Sequence, residues 1–86
     1  MITGEQVKEA MSAAGITKVD HHDCGFCGFM THYFVAEGNL YFNSGCNCSW
    51  GGSRPASWGE AASWINMQSN EAVKQKLMAA FGIKTD

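Results

Sequence analysis

Residues 24–48 read CGFCGFMTHYFVAEGNLYFNSGCNC, and every cysteine of the 86-residue chain lies in them. They fall into two pairs, Cys24-x-x-Cys27 and Cys46-x-Cys48, with 18 residues between the pairs. That spacing is close to the two-pair pattern of a tetrahedral zinc site, in which four thiolates fill the coordination of one ion. The residues between the pairs are rich in aromatic and β-branched types, Phe29 to Glu37 and Leu40 to Ser44, which predicts a β-hairpin over 29–44. With Gly38-Asn39 as a two-residue turn, Glu37 faces Leu40, Val35 faces Phe42 and Tyr33 faces Ser44. Extended, that register sets Thr31 opposite Cys46 and Phe29 opposite Cys48. Side chains alternate across a strand, so Cys46 and Cys48 share a face with Val35, Leu40 and Phe42, and with Cys27 if the first strand begins that early. Met30, His32, Phe34, Ala36 and Tyr41 take the other face. Both faces carry apolar groups, so one is expected against helices and the other available to a partner.

The segments on either side read as helices and connections. Thr3 with Gln6 forms a capping-box pattern, and Val7, Ala10, Met11 and Ala14 make one apolar stripe, predicting a helix over 3–14 with its core-facing side set. Gly15 fits the left-handed stop and Ile16 the apolar residue after it. Residues 17–23 form a polar connection with a short strand around Val19. Residues 49–57 read as a loop punctuated by Gly51-Gly52 and Pro55, carrying Trp50 and the only arginine, Arg54. Ser57 and Glu60 repeat the capping-box pattern ahead of a helix over 58–68, with Trp58, Ala61, Ala62 and Ile65 inward and Trp64 and Met67 widening the stripe. A last helix begins near Ser69 or Asn70, buries Val73, Leu77, Ala80 and Phe81, and stops at Gly82-Ile83 as the first does at Gly15-Ile16. The fold class expected is α+β: an N-terminal helix, a zinc-stapled β-hairpin and two C-terminal helices, in one small domain over 1–86 that opens at Met1 and reads as complete.

Three histidines stand near the cysteines. His21 and His22 precede Cys24 by three and two residues; either could replace a cysteine as ligand or carry protons near the metal, but four cysteines already complete a tetrahedral set, and an exposed polar loop accounts for both. His32 reads as a surface or hydrogen-bonded strand residue. Trp50 and Arg54, with Tyr41 and Phe34, are the candidate partner contacts, since Trp, Tyr and Arg are enriched where protein surfaces bind one another. Trp50 could equally cover the metal, and Arg54 offset the thiolate charge.

Charge and compartment narrow the class. Net charge is −2 and the six Lys and Arg residues are scattered, so the basic face of a nucleic-acid binder is missing. No apolar run is long enough to span a membrane, and the first residues show neither the basic nor the apolar part of a secretory signal. A cytoplasmic setting is expected, where paired cysteines serve as metal ligands more often than as disulfides. A four-cysteine site is closed to water, hence structural; zinc is expected, with iron the competing metal. A dithiol redox role for Cys24-Gly-Phe-Cys27 would need the first cysteine at a helix N-terminus, whereas a β-rich segment follows. No serine–histidine–acid set, carboxylate pair or phosphate loop stands out, so no enzyme is expected.

The first pair with its following glycine, Cys24-Gly-Phe-Cys27-Gly28, resembles the metal knuckle of zinc ribbons and rubredoxins over those five residues. The second pair departs from it, with one spacer and no following glycine. Across about half the chain, the order Cys24-x-x-Cys27, Tyr41-Phe42, Gly45-Cys46-x-Cys48, Ser57-Trp58 and Ile65-Asn66-Met67-Gln68 resembles small uncharacterised proteins encoded by tailed phages and prophages. That resemblance implies no activity. With the cysteines it leads to the expectation of a zinc-binding protein–protein interaction module, a phage-encoded inhibitor or modulator of a host defence or transcription protein. The alternatives are a nucleic-acid-binding zinc ribbon accessory to phage replication or transcription, carried by Arg54, Lys18 and stacking aromatics, and the dithiol redox protein.

Overall fold

A computed structural model describes residues 1–22, 30–46 and 49–84, with the side chains of 46, 49 and 50 left undescribed. The architecture is α+β, as expected. Helix α1 (Gly4–Ala14) leads to β1 (Lys18–His22), β2 (Met30–Ala36) and β3 (Asn39–Cys46). Two short strands, β4 (Ser49–Trp50) and β5 (Arg54–Pro55), precede helices α2 (Trp58–Asn66) and α3 (Glu71–Ala80). The sheet is antiparallel in the order β1-β2-β3-β4, with β5 also on β3.

Local chemistry explains the helix ends. Thr3 accepts from the Gln6 amide at 3.2 Å while the Gln6 side chain accepts from the Thr3 amide at 2.8 Å, the full reciprocal cap. Gly15 then turns left-handed (φ 68°), and the Ile16 amide donates back to the Met11 carbonyl at 2.9 Å. The chain repeats this at Gly82 (φ 80°), where Ile83 donates to Met78 at 2.8 Å. The two stops pack on one another: a β-carbon on Gly82 would lie 2.9 Å from Ile16 Cδ1 and 3.2 Å from Ala14 Cβ. At the other end of α1, Gly4 lies so close to α2 that a β-carbon would meet the Gly59 nitrogen at 2.7 Å.

The second cap differs from its expectation. Ser57 accepts from the Glu60 amide at 3.0 Å, but the Glu60 carboxylate turns away to Arg54. Helix α2 also ends two residues early, with Met67 as its cap. Met67 is 79% exposed instead of widening the apolar stripe, because the helical periodicity that would carry it inward has already stopped.

The hairpin forms, but its turn is Glu37-Gly38 and its register is displaced by two residues from the Gly38-Asn39 expectation. Val35 faces Leu40, Tyr33 faces Phe42, and Thr31 faces Ser44 instead of Cys46. Both turn residues have positive φ, 54° at Glu37 and 80° at Gly38, as a two-residue hairpin of the I′ kind requires. A left-handed Glu costs about 1–2 kcal/mol. The register it allows sets aromatic against aromatic: Tyr33 and Phe42 meet edge-on at 5.2 Å between ring centres, and Phe34 and Tyr41 stack at 5.4 Å. Each such pair contributes about 0.5–1.5 kcal/mol beyond burial, which offsets the turn. A displacement of two leaves the alternation intact, so the faces are those expected.

One face holds the core. Val19, Tyr33 and Leu40 pack with Val7 and Met11 of α1, Ala61, Ala62 and Ile65 of α2, and Leu77 and Phe81 on and just after α3. Tyr33 is the centre, its ring touching Phe42, Trp64 and Phe81. The opposite face carries Lys18, Asp20 and His22 exposed, and Met30, His32, Phe34, Tyr41 and Asn43 half-buried. The segment read as a loop over 49–57 instead returns along β3 twice: Trp50 opposite Gly45, then Arg54 opposite Phe42 and Pro55 opposite Tyr41. Pro55 is tolerated because β5 is an edge strand.

Candidate metal centre

Cys24, Cys27 and Cys48 lie outside the described residues, and Cys46 is described only as the last backbone position of β3. The flanking strands nevertheless fix where the two pairs depart and return. His22, the last residue of β1, pairs with Met30, the first of β2. Met30 pairs with Gly45, Gly45 with Trp50, and Cys46 with Ser49. The segment bearing the first pair and the segment bearing the second are therefore attached at the same end of the sheet, opposite to the Glu37-Gly38 turn. The antiparallel register produces this from chain order alone.

At that end the core face changes character. Rows across β1, β2 and β3 can be read from the pairing. Val19, Tyr33 and Phe42 form one row, and the next toward the cysteine end is His21, Thr31 and Ser44. Thr31 is 6% exposed, the only polar residue so deeply buried among those described, while His21 and Ser44 are half-buried. The His21 ring meets the edge of Trp64 at 5.7 Å. Cys46 follows Ser44 by two positions, in phase with Leu40, Phe42 and Ser44 along β3. The sequence reading missed Thr31 and Ser44; their inward phase in two aromatic strands was the signal that could have found them.

His21 and His22 thus separate onto opposite faces of β1, His21 half-buried on the core side and His22 exposed. His32 is hydrogen-bonded as expected, donating from Nδ1 to Asp20 directly across the strand pair, and Lys18 Nζ reaches the same carboxylate at 3.7 Å. Among the described residues no group of three His, Cys, Asp or Glu side chains is placed to hold a metal.

The candidate contact residues do not form one patch. Phe34 and Tyr41 are brought together on the face away from the core. Beside them Asn43 Nδ2 donates to Ser53 Oγ at 3.2 Å, while its shielded Oδ1 meets no donor among the described residues. Arg54 is engaged elsewhere. Its guanidinium grips Glu60 with two hydrogen bonds, 3.1 and 2.7 Å, and lies 4.3 Å over the Phe42 ring. Its charge offsets a carboxylate, where the sequence reading had weighed the thiolates. The Arg54 hydrogen bonds hold Glu60 below the usual carboxylate range, and the same contact raises Arg54 further. Tyr33 Oη approaches Glu60 at 3.5 Å; burial first, then the Glu60 charge, pushes its phenol up to about 12. Glu60 therefore ties α2 to the sheet from a position that looked like a simple cap. Trp50 is placed by its backbone on β4, opposite Gly45.

No protein-family model matches the chain, and neither the curated proteins nor the solved structures searched contain a match. No helix among the described residues is long and apolar enough to cross a membrane.

Proposed function

We propose that this chain is a protein-binding module folded around structural zinc, with Cys24, Cys27, Cys46 and Cys48 as the four ligands. The observation that carries the reading is the meeting of β1, β2, β3 and β4 at the end of the sheet where both cysteine pairs are attached. Four thiolates leave no open position on zinc, so the metal holds the fold and performs no chemistry. The contact surface is the face away from the core, where Phe34, stacked on Tyr41, borders a shallow groove with Lys18, His32 and Asn43. On the resemblance to phage-encoded proteins, that partner is a host protein of the defence or transcription machinery, which the module inhibits or redirects.

The competing readings are disfavoured by particular contacts. Phe34 and Tyr41 spend their ring faces on one another, and Lys18 is paired with Asp20, which leaves a poor platform for nucleotide bases. The described element after Cys27 is a strand, not the helix a reactive dithiol needs. Metal analysis with a thiol titration tests the proposal. One zinc per chain, with no thiol reactive until a chelator is added, supports it; a metal-free native protein with two reactive thiols overturns it.

A further inference from the structure

We infer that the outer edge of β1 pairs with the same edge of a second copy of this chain, joining two sheets across a two-fold axis at Val19. The pairing needs nothing from the cysteines. The sheet has two outer edges, and the chain treats them differently. Along β3 the returning segment supplies partners. Gly51 donates to the Ser44 carbonyl at 3.2 Å, Arg54 and Pro55 pair with Phe42 and Tyr41, and Ala56 donates to the Leu40 carbonyl at 2.9 Å. At the other end of the strand order, β1 has β2 on one side only among the described residues. The Val35 amide donates to the Thr17 carbonyl at 2.9 Å, which fixes the phase of the pairing. Thr17, Val19 and His21 turn their backbone groups to β2, and Lys18, Asp20 and His22 turn theirs outward. No backbone partner meets these outward groups among the described residues. Such a row is a template for another strand.

The side chains on that edge choose the partner. Lys18, Asp20 and His22 are exposed on the face away from the core. An antiparallel second copy with Val19 opposite Val19 sets Lys18 of each chain opposite Asp20 of the other. Both residues point their backbone groups outward, so each such pair exchanges hydrogen bonds as well as opposing its charges. Sliding one copy by two residues sets Asp20 against Asp20 in one direction and Lys18 against Lys18 in the other. Like charges directly opposite are destabilising. An exposed lysine ordinarily protects a strand edge from pairing; with Asp20 two positions on, it selects one register. Lys18 and Asp20 approach at 3.7 Å within the chain, yet their side chains stay 64% and 39% exposed. An ammonium has three donors and a carboxylate two accepting oxygens, so each retains capacity for the second copy. The same patch meets itself, which closes the assembly as a dimer. A strand of five residues buries little area, so the dimer is weak and forms as concentration rises. Its axis is perpendicular to the sheet. Both copies therefore present Phe34 and Tyr41 on one side, and the contact face becomes bivalent.

Sedimentation velocity of the full chain over a concentration series tests the pairing, in reductant so that no disulfide links the copies. The parent is expected to move from monomer toward dimer. Lys18→Asp and Asp20→Lys each set like charges opposite one another and are expected to weaken self-association about tenfold or more. Mixed in equal amounts, the two variants restore opposite charges at both positions and are expected to associate at least as well as the parent. In the parent, amide exchange at Lys18 and Asp20 should slow as concentration rises, a readout that stands even if Asp20→Lys fails to fold. A parent that stays monomeric overturns the pairing. So does a mixture of folded variants that associates no better than either alone, or slowed exchange confined to other surfaces. Each of these results leaves the zinc reading to be decided by metal analysis.

Discussion

The two ends of the sheet are built on different physics. At the turn end, Val35 and Leu40 sit side by side on the core face, and the positive φ of Glu37 and Gly38 closes the hairpin without further help. At the cysteine end the same face presents His21, Thr31 and Ser44, and four strand termini stop within a residue or two of one another. Apolar burial stabilises in proportion to area and needs no particular geometry. A polar row gains nothing from burial until each donor has an acceptor. One end can hold by packing alone; the proposed occupant of the other, a metal ion with four thiolates, would tie its strand termini together.

Removing the occupant should separate the ends most sharply. Chelation of the metal, or Cys27→Ser or Cys46→Ser, is expected to destabilise the domain by several kcal/mol. In a domain of this size each 1 kcal/mol moves the melting temperature by roughly 4–8 °C, so thermal melts read the effect directly. Variants that melt like the parent would remove the distinction between the ends. Phe81→Ala, at a fully buried position against Tyr33 and Trp64, is expected to cost about 3–5 kcal/mol. That loss should be the same with or without metal if the packed end is independent of the cysteines; melts in zinc and in chelator check it.

A smaller effect probes the helices behind the core. Gly4→Ala should gain about 1 kcal/mol on helix propensity, yet the close approach of the Gly59 backbone makes the substitution destabilising by about 1–3 kcal/mol. Denaturant midpoints decide the sign. Smallest are the pH effects at Glu60 and Tyr33. Glu60 has a lowered folded pKa, so its contribution is present above the ordinary carboxylate range and is lost as pH falls through the folded value. Glu60→Gln should flatten that acid limb of stability. The Tyr33 phenol is raised, so its contribution is present below the ordinary value of 10.0 and is lost as pH climbs through about 12. Tyr33→Phe should remove that alkaline limb.

Much of this was legible because it is local. The Thr3–Gln6 cap, the stops at Gly15 and Gly82, and the division of hairpin residues between two faces all depend on neighbours a few positions apart. What escaped depends on distant partners. Ser57 and Glu60 have the same spacing as Thr3 and Gln6, but Arg54 lies within reach of Glu60 and a charged pair outcompetes a backbone amide. The turn moved by one residue, and the register with it by two, because aromatic pairing across the strands outweighs the preference of Gly38-Asn39 for left-handed backbone. Two-residue strands such as β4 and β5 have no period of their own; only β3 makes them strands. For the candidate site, spacing supplied the cysteines and pairing supplied the end of the sheet to which the segments bearing them are attached.

The contacts of α1 carry a consequence for synthesis. Gly4 nests on Gly59, the Ile2 backbone is held on both sides by the Asn66 amide, and Ile16 fills the space beside Gly82. Every one of these partners comes more than fifty residues later in the chain. An eleven-residue helix is marginal in water by itself, and contacts of such long separation are the slow ones to close. On the ribosome, α1 is therefore translated well before the partners that shelter it, and until residues 58–82 emerge Val7 and Met11 lack that cover and can meet other hydrophobic surface on the nascent chain.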